Sequence, residues 1–381
     1  MENLFDLPPE YKELRTSIRA LAEKEIAPFA KSVDENHRFP IEAKSALVKN
    51  GLFAAHVPTE YGGDGADALA TALIIEEIAR VCGSSSLIPA VNKLGSLPLI
   101  LGGNEEQKQR WLPQLVKGSG FSYCLSESEA GSDASALKTK VAKTAEGWIL
   151  NGSKKWISNA GDSEYYLVIA QGDSALRSKG ITAFLVEKSD PGVSFGVPEK
   201  KMGMRGSPTC EVYFDNVFLA DDRRIGGVGQ GFTLAMNTLD HTRITIAAQA
   251  LGLAQGAFDV ATKYSHERFQ FGKPIFDFQA IQFMLAQMAM NIEAARLLIY
   301  SAAVKSENGE KDLPFFSAAS KCFASDMAMK VTQDAIQILG GYGYVTDYPV
   351  ERMMRDAKLT QIYEGTIQIQ RIVMARNLIN G

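Results

Sequence analysis

The sequence predicts an α+β chain in three parts: an N-terminal all-α domain, a small middle β-barrel or sandwich domain, and a C-terminal four-helix bundle. Three observations carry that reading. Apolar residues recur at helical spacing through the first hundred or so positions, short β-branched and aromatic runs replace them from about Phe121, and helical spacing returns after a glycine-rich stretch. At 381 residues the chain exceeds the usual size of one domain, and the boundaries fall at 1–120, 121–228 and 229–381.

In the first part, Tyr11 to Ala30 and Pro40 to Asn50 mix apolar and charged positions as helices do, and Gly51 suits a stop. The loop YGGDG from Tyr61 breaks the pattern. A third helical run, LATALIIEEIARVCG, repeats apolar side chains at Leu73, Ile74, Ile78 and Val81, with Gly83 read as its end.

The strands of the middle part are GWILNGSKKWISNA, YYLVIAQ, ITAFLVEK and CEVYFDNVFL, each bounded by Gly, Asp, Asn or Pro clusters. ADDRRIGGVGQGF closes it. Of three long helical patterns beyond, one carries Ile281, Leu285, Met288, Ile292, Ala295 and Ile299 and ends near Asn308-Gly309. The next runs from Pro314 through Phe323, Met327 and Val331 to Leu339, with Pro314 in a first turn and Gly340 as a stop. Long helices without heptad charges suggest an antiparallel bundle.

Composition narrows the function classes. The 40 basic and 44 acidic residues are spread along the chain, so neither nucleic acid nor anionic lipid is an expected partner. Cys82, Cys124, Cys210 and Cys322 show no CxxC spacing, which suits reduced, buried thiols and a cytoplasmic setting. MENLFDLPPEYKEL lacks the basic start and apolar run of an export signal, and apolar stretches such as ITIAAQALGLA from Ile244 are too short and too broken to span a bilayer.

Several chemistries lack their motifs. His37, His56, His241 and His266 form no HExxH or Cys-paired arrangement, so no metal is expected. No GxxxxGK(S/T) phosphate loop or GxSxG elbow occurs, and GGVGQGF from Gly226 opens no βαβ unit. Chemistry is left to a carboxylate or to a bound organic cofactor.

Three segments identify a family resemblance: YCLSESEAGSDASALKTK from Tyr123, RFQFGKPIFDFQ from Arg268, and GGYGYVTDYPVERMMRDAKLTQIYEGTIQIQR from Gly340. Together they resemble the acyl-CoA dehydrogenases, over nearly the whole chain and in the same α–β–α order. The resemblance implies an FAD-dependent enzyme that turns an acyl-CoA into a trans-2-enoyl-CoA, gives its electrons to an electron-transferring flavoprotein, and assembles as at least a dimer, most naturally a dimer of dimers. An acyl-CoA oxidase or related flavoenzyme, and a catalytically silent scaffold of the same fold, are the alternatives.

The resemblance also assigns residues. Tyr123, Cys124, Leu125, Ser126, Gly131 and Ser132 would contact the flavin, with Ser132 also facing the CoA chain; the family's proline after Glu127 is Ser128 here. Trp156, Ile157 and Ser158 match a step that packs an indole on the isoalloxazine and brings a hydroxyl to its N5 edge. Arg268 and Gln279 match positions that reach the FAD of an adjacent subunit, as does the stretch Gln337, Ile338, Leu339, Gly340 and Gly341, while Phe271, Thr366 and Gln368 match further cofactor contacts. Asp240, Arg243, Tyr363 and Gly365 would hold the acyl-CoA.

Glu364, in IYEGT, is where the short- and medium-chain branches keep the catalytic base. The isovaleryl and long-chain branches carry theirs at the position of Thr242, which cannot serve. The resemblance implies that Glu364 takes the α-proton, that its own backbone N–H and a flavin ribityl hydroxyl stabilise the thioester oxygen, and that the β-hydrogen leaves as hydride. A short- to medium-chain or branched acyl group is expected, its length set partly by SLIPAVNKLGSLP.

Overall fold

A computed structural model describes residues 6–380. α1 (Pro9–Leu21) is followed by a π turn, a 3₁₀ turn, α2 (Ala30–Glu35), α3 (Ile41–Lys49), α4 (Ala68–Ala79), α5 (Gly83–Gly102) and α6 (Glu105–Val116). The helix predicted from Tyr11 to Ala30 is therefore broken. The π turn Ala22–Ile26 brings both Ala22 and Ile26 inward, and Pro28, which has no N–H to give, stands in the 3₁₀ turn.

Gly83 does not end α4, which stops at Ala79; it begins α5. That 20-residue helix carries SLIPAVNKLGSLP through the core, Pro89 and Pro98 included. Its Gly, Ser and Pro residues offer little helix propensity, but most of its side chains are buried, and packing outweighs the local preference. α6 has a readable start: Asn104 and Gln107 form a reciprocal capping box.

β1 (Phe121–Cys124), β2 (Lys140–Lys143), β3 (Trp148–Ser158), β4 (Tyr165–Gln171), β5 (Ile181–Glu187), β6 (Val193–Phe195), β7 (Thr209–Leu219) and β8 (Arg224–Ile225) make one sheet. The order is β6-β7-β3-β2-β4-β5-β8, with β1 added parallel to β4. Alternate residues go to different cores. Leu167, Ile169, Ala183 and Leu185 pack with the N-terminal helices, whereas Tyr166, Val168, Phe184 and Val186 meet Trp148, Leu150 and Phe214. Burial on both faces is why these strands read as continuous apolar runs.

α7 (Gly231–Glu267), α8 (Gln279–Glu307) and α9 (Leu313–Leu339) pack together, with α10 (Val350–Thr360) and α11 (Ile367–Asn380) against α9. α7 is long and apolar enough to cross a bilayer, with mean hydropathy 1.2 in its best window, yet 78% of that window is buried inside the protein. It is a core helix, lined by α4, α5, α8, α9 and α10. Two glycines let α4 approach it: a Cβ at Gly252 would stand 2.2 Å from the Glu76 carbonyl oxygen, and one at Gly256 2.0 Å from that of Arg80. The six residues between α10 and α11 lie over α7, and the candidate base is among them.

Candidate active site

The link from α10 to α11 takes a conformation that must be held. Glu364 has φ of +50° and Gly365 of +84°. A left-handed backbone costs a non-glycine residue about 1–2 kcal/mol and persists where the surroundings fix it. Gln370 Nε2 donates to the carbonyl oxygens of Glu364 at 3.1 Å and Gly365 at 2.9 Å, and Lys321 Nζ, on α9, donates to the same Gly365 oxygen at 2.6 Å. The Glu364 carboxylate is thereby turned to α7, where Thr242 Oγ1 donates to its Oε2 at 2.8 Å. Thr242 is the partner of Glu364.

The neighbours of this turn are fixed in the same way. The Tyr363 phenol donates to Gln249 Oε1, while Gln249 Nε2 donates to Ser86 Oγ at 2.8 Å. Arg243 pairs with Asp240, and its Nε is buried without a partner. Burial pushes the Glu364 carboxyl up to about 7, against the Thr242 hydrogen bond and the charges of Lys321 and Arg243. Burial also brings Lys321 down to about 8, with the Glu364 charge opposing it. A carboxyl titrating near 7 suits a general base at neutral pH. Among the described residues the Glu364 N–H meets no protein acceptor.

β1 and the loop after it form a second wall. Tyr123 Oη is buried without a partner, and its phenol is held well above its usual range by burial and by the Glu364 charge. The Cys124, Ile157, Ile338 and Leu339 side chains lie in the cores, so only their backbone can meet a ligand. The Leu125 carbonyl accepts from Lys154 Nζ at 3.0 Å and the Ser126 carbonyl from the Lys155 N–H at 2.9 Å. The Glu127 carboxylate ties the loop down, accepting from Lys154 Nζ at 2.7 Å and from the N–H groups of Lys138 and Thr139. Gly131 and Ser132 are left exposed.

Trp156 is no core residue. Its backbone is left-handed at φ +66°, at a break in register between β3 and β7, and the side chain is 58% exposed with Lys155 Nζ 5.0 Å from the ring centroid. Ser158 follows it, half-buried.

The remaining residues face outward from a third region. Arg268, Ile338, Leu339, Gly340 and Gly341 line one open groove of about 620 Å³, with Gln337 beside it. Phe271 and Gly272 form the two-residue tip of the hairpin Phe269–Gln270 and Lys273–Pro274; both have positive φ, and the Phe271 side chain is 93% exposed. Gln279, at the start of α8, and Gln368, in α11, are exposed, while Thr366 Oγ1 accepts from the Ile369 N–H. The predicted residues thus divide between an inner pocket around Glu364 and an outward rim.

Lys321, Gln370, Gln249 and the Lys154–Glu127 pair escaped the sequence reading. Lys321 left a trace: it occupies a core position of α9, at helical spacing from the buried Ser317, Ala318, Ala324, Ser325 and Ala328. The others depend on contacts between distant elements.

Comparison with known proteins gives three successive family matches: "Acyl-CoA dehydrogenase, N-terminal domain" over residues 8–119, "middle domain" over 122–217 and "C-terminal domain" over 229–379. A probable acyl-CoA dehydrogenase FadE25 of Mycobacterium tuberculosis is 59% identical over 378 residues, 99% of this chain and 97% of that protein. The human mitochondrial short-chain specific acyl-CoA dehydrogenase is 44% identical over 380 residues, 99% of this chain and 92% of that one. The structure of butyryl-CoA dehydrogenase from Megasphaera elsdenii superposes with a TM-score of 0.95 at 40% identity, covering all of both chains. The chain belongs to the acyl-CoA dehydrogenase family of FAD-dependent oxidoreductases.

Proposed function

We propose that the chain dehydrogenates a short- to medium-chain or branched acyl-CoA to its trans-2-enoyl-CoA, with Glu364 removing the α-proton. The observation that carries this is the clamped left-handed turn, which sets a carboxyl titrating near neutrality beside an unused backbone N–H. An α-proton next to a thioester is weakly acidic, so its removal needs a positioned base and a donor for the developing enolate oxygen. The Glu364 carboxylate and the Glu364 N–H fill these roles. Tyr363 walls the pocket, and Asp240, Arg243 and Ser132 take the pantetheine side. The names of the relatives, short-chain specific and butyryl-CoA dehydrogenase, support the acyl range.

The residues fit FAD. An exposed indole suits a flat ring, the unpartnered Tyr123 hydroxyl awaits a polar group, and a half-buried arginine in an open groove suits a pyrophosphate. Tyr123 to Ser132 and Trp156 to Ser158 would hold the flavin end, where FAD supplies the hydride acceptor when bound. Arg268, Gln279 and Gln337 to Gly341 would hold the FAD of an adjacent copy, which requires at least a dimer, and Phe271, Thr366 and Gln368 would add further cofactor contacts. An electron-transferring flavoprotein is the proposed acceptor.

The test is a kcat/KM panel from butyryl- to palmitoyl-CoA with branched examples, using that flavoprotein as acceptor. Preference for the short or branched members is expected, and a marked preference for long straight chains overturns the substrate range. Glu364→Gln should retain yellow FAD and lose roughly 10²–10⁴-fold in turnover, the usual worth of a general base. Near-normal turnover removes Glu364 from its role.

A further inference from the structure

Lys321 is fully buried, yet its ammonium has one hydrogen-bond acceptor among the described residues, the carbonyl oxygen of Gly365. An ammonium buried against a single neutral acceptor is costly, and an apolar residue of similar shape is often as stable or more so. The location suggests what the charge does. Gln370 already grips both carbonyls of the turn, so Lys321 is not needed to close it. What Lys321 adds beyond Gln370 is a positive charge behind the base, alongside that of Arg243.

We propose that Lys321 is a positioning residue for Glu364: held at the back of the turn by the Gly365 carbonyl, its charge keeps the Glu364 carboxylate ionised. This deepens the reading of Glu364 as the base and rests on it. The groups facing the pair come from four elements. Around Glu364 stand Thr242 and Arg243 of α7, Lys321 of α9, Tyr123 of β1 and the neighbouring Tyr363; around Lys321 stand Glu364, Arg243, Cys322 and Asp326. Burial carries Glu364 to about 7 even with Lys321 pulling it down. Removing the cation leaves burial less opposed, so the carboxyl must titrate higher.

The test uses flavin-loaded enzyme and the pH dependence of kcat/KM for butyryl-CoA. Lys321→Met removes charge and donor, Lys321→Gln removes the charge and keeps a donor, and Lys321→Arg keeps both. The acid limb should move up by about one pH unit or more in the first two, the reach of a nearby opposite charge, and stay in place in the third. KM near the top of the profile should change little. A residue that only supports the fold would lower flavin content or melting temperature and leave the limb where it was. A limb at the wild-type position in either charge-free variant overturns the proposal.

A second readout needs folding but no turnover. The melting-temperature difference between Lys321→Met and Lys321→Met/Glu364→Gln, followed across pH, reports the Glu364 titration in the absence of the charge. It should lie above the titration given by wild type against Glu364→Gln, and coincidence of the two overturns the proposal. If Glu364 is not the base, Glu364→Gln keeps its turnover whatever these titrations show, so the two failures are distinct.

Discussion

The pocket around Glu364 and the rim around Arg268 are built on opposite terms. In the pocket, Thr242 holds the Glu364 carboxylate while Gln370, Lys321 and the Gln249–Tyr363 pair hold the turn that carries it, all from within one chain. On the rim, Phe271 is exposed, and Arg268 lies in an open groove with a cation–π contact to Tyr342 at 5.6 Å. The difference separates what folding alone prepares, a carboxylate at set geometry and acidity, from what FAD and a second copy are proposed to complete. Changes at the pocket should therefore alter rate and pH dependence, and changes at the rim should alter cofactor retention and assembly.

Apart from loss of Glu364 itself, the largest effect expected is at the rim. Arg268→Ala removes the proposed charge-assisted contact to phosphate, worth roughly 1.5–3 kcal/mol, so FAD retention should weaken about ten- to a hundredfold. Dialysis followed by FAD titration and light scattering would measure it, and an unchanged FAD affinity would move the pyrophosphate elsewhere. Gly365→Ala should act on the pocket alone. Its φ of +84° penalises a side chain, and the added Cβ would stand 2.7 Å from Gln370 Nε2. Turnover should fall about tenfold, from roughly 1–2 kcal/mol of strain, at normal flavin content.

Thr242→Val is expected to act less, lowering kcat/KM by about three- to tenfold and moving its acid limb to higher pH, because the lost hydrogen bond favours the ionised carboxylate. The smallest effect is on stability. Glu364 titrates near 7 in the fold against an ordinary value of 4.5, so its contribution is fully present below 4.5 and is lost as pH rises through 7. Glu364→Gln escapes that loss. It should gain on wild type across this window by on the order of 2 kcal/mol, discounted for the water that still reaches the residue, or a few degrees in melting temperature.

The same contrast marks how far the sequence could be read. The strands and the α8 and α9 helices were legible because their periods survive into the fold, and Gly309 and Gly340 take the positive φ their places as stops suggested. α5 was not, since its Gly, Ser and Pro residues are helical only through burial. Glu364 was named only through the family resemblance that IYEGT and its surroundings carry, and nothing local in that segment tells of Lys321, 43 positions earlier, or of Gln249. Their roles arise from α7 and α9 passing beneath one turn. Arg268 and Gln279 were named only through resemblance, because the group they are proposed to touch lies outside their own chain.

The most direct test of the account is anaerobic. Butyryl-CoA is mixed with flavin-loaded wild type and with Glu364→Gln, and the visible flavin band is followed in a stopped-flow spectrometer. The account predicts rapid bleaching in the wild type and, in Glu364→Gln, bleaching slowed by at least about a hundredfold at undiminished flavin content. Equal bleaching rates in the two proteins would contradict it.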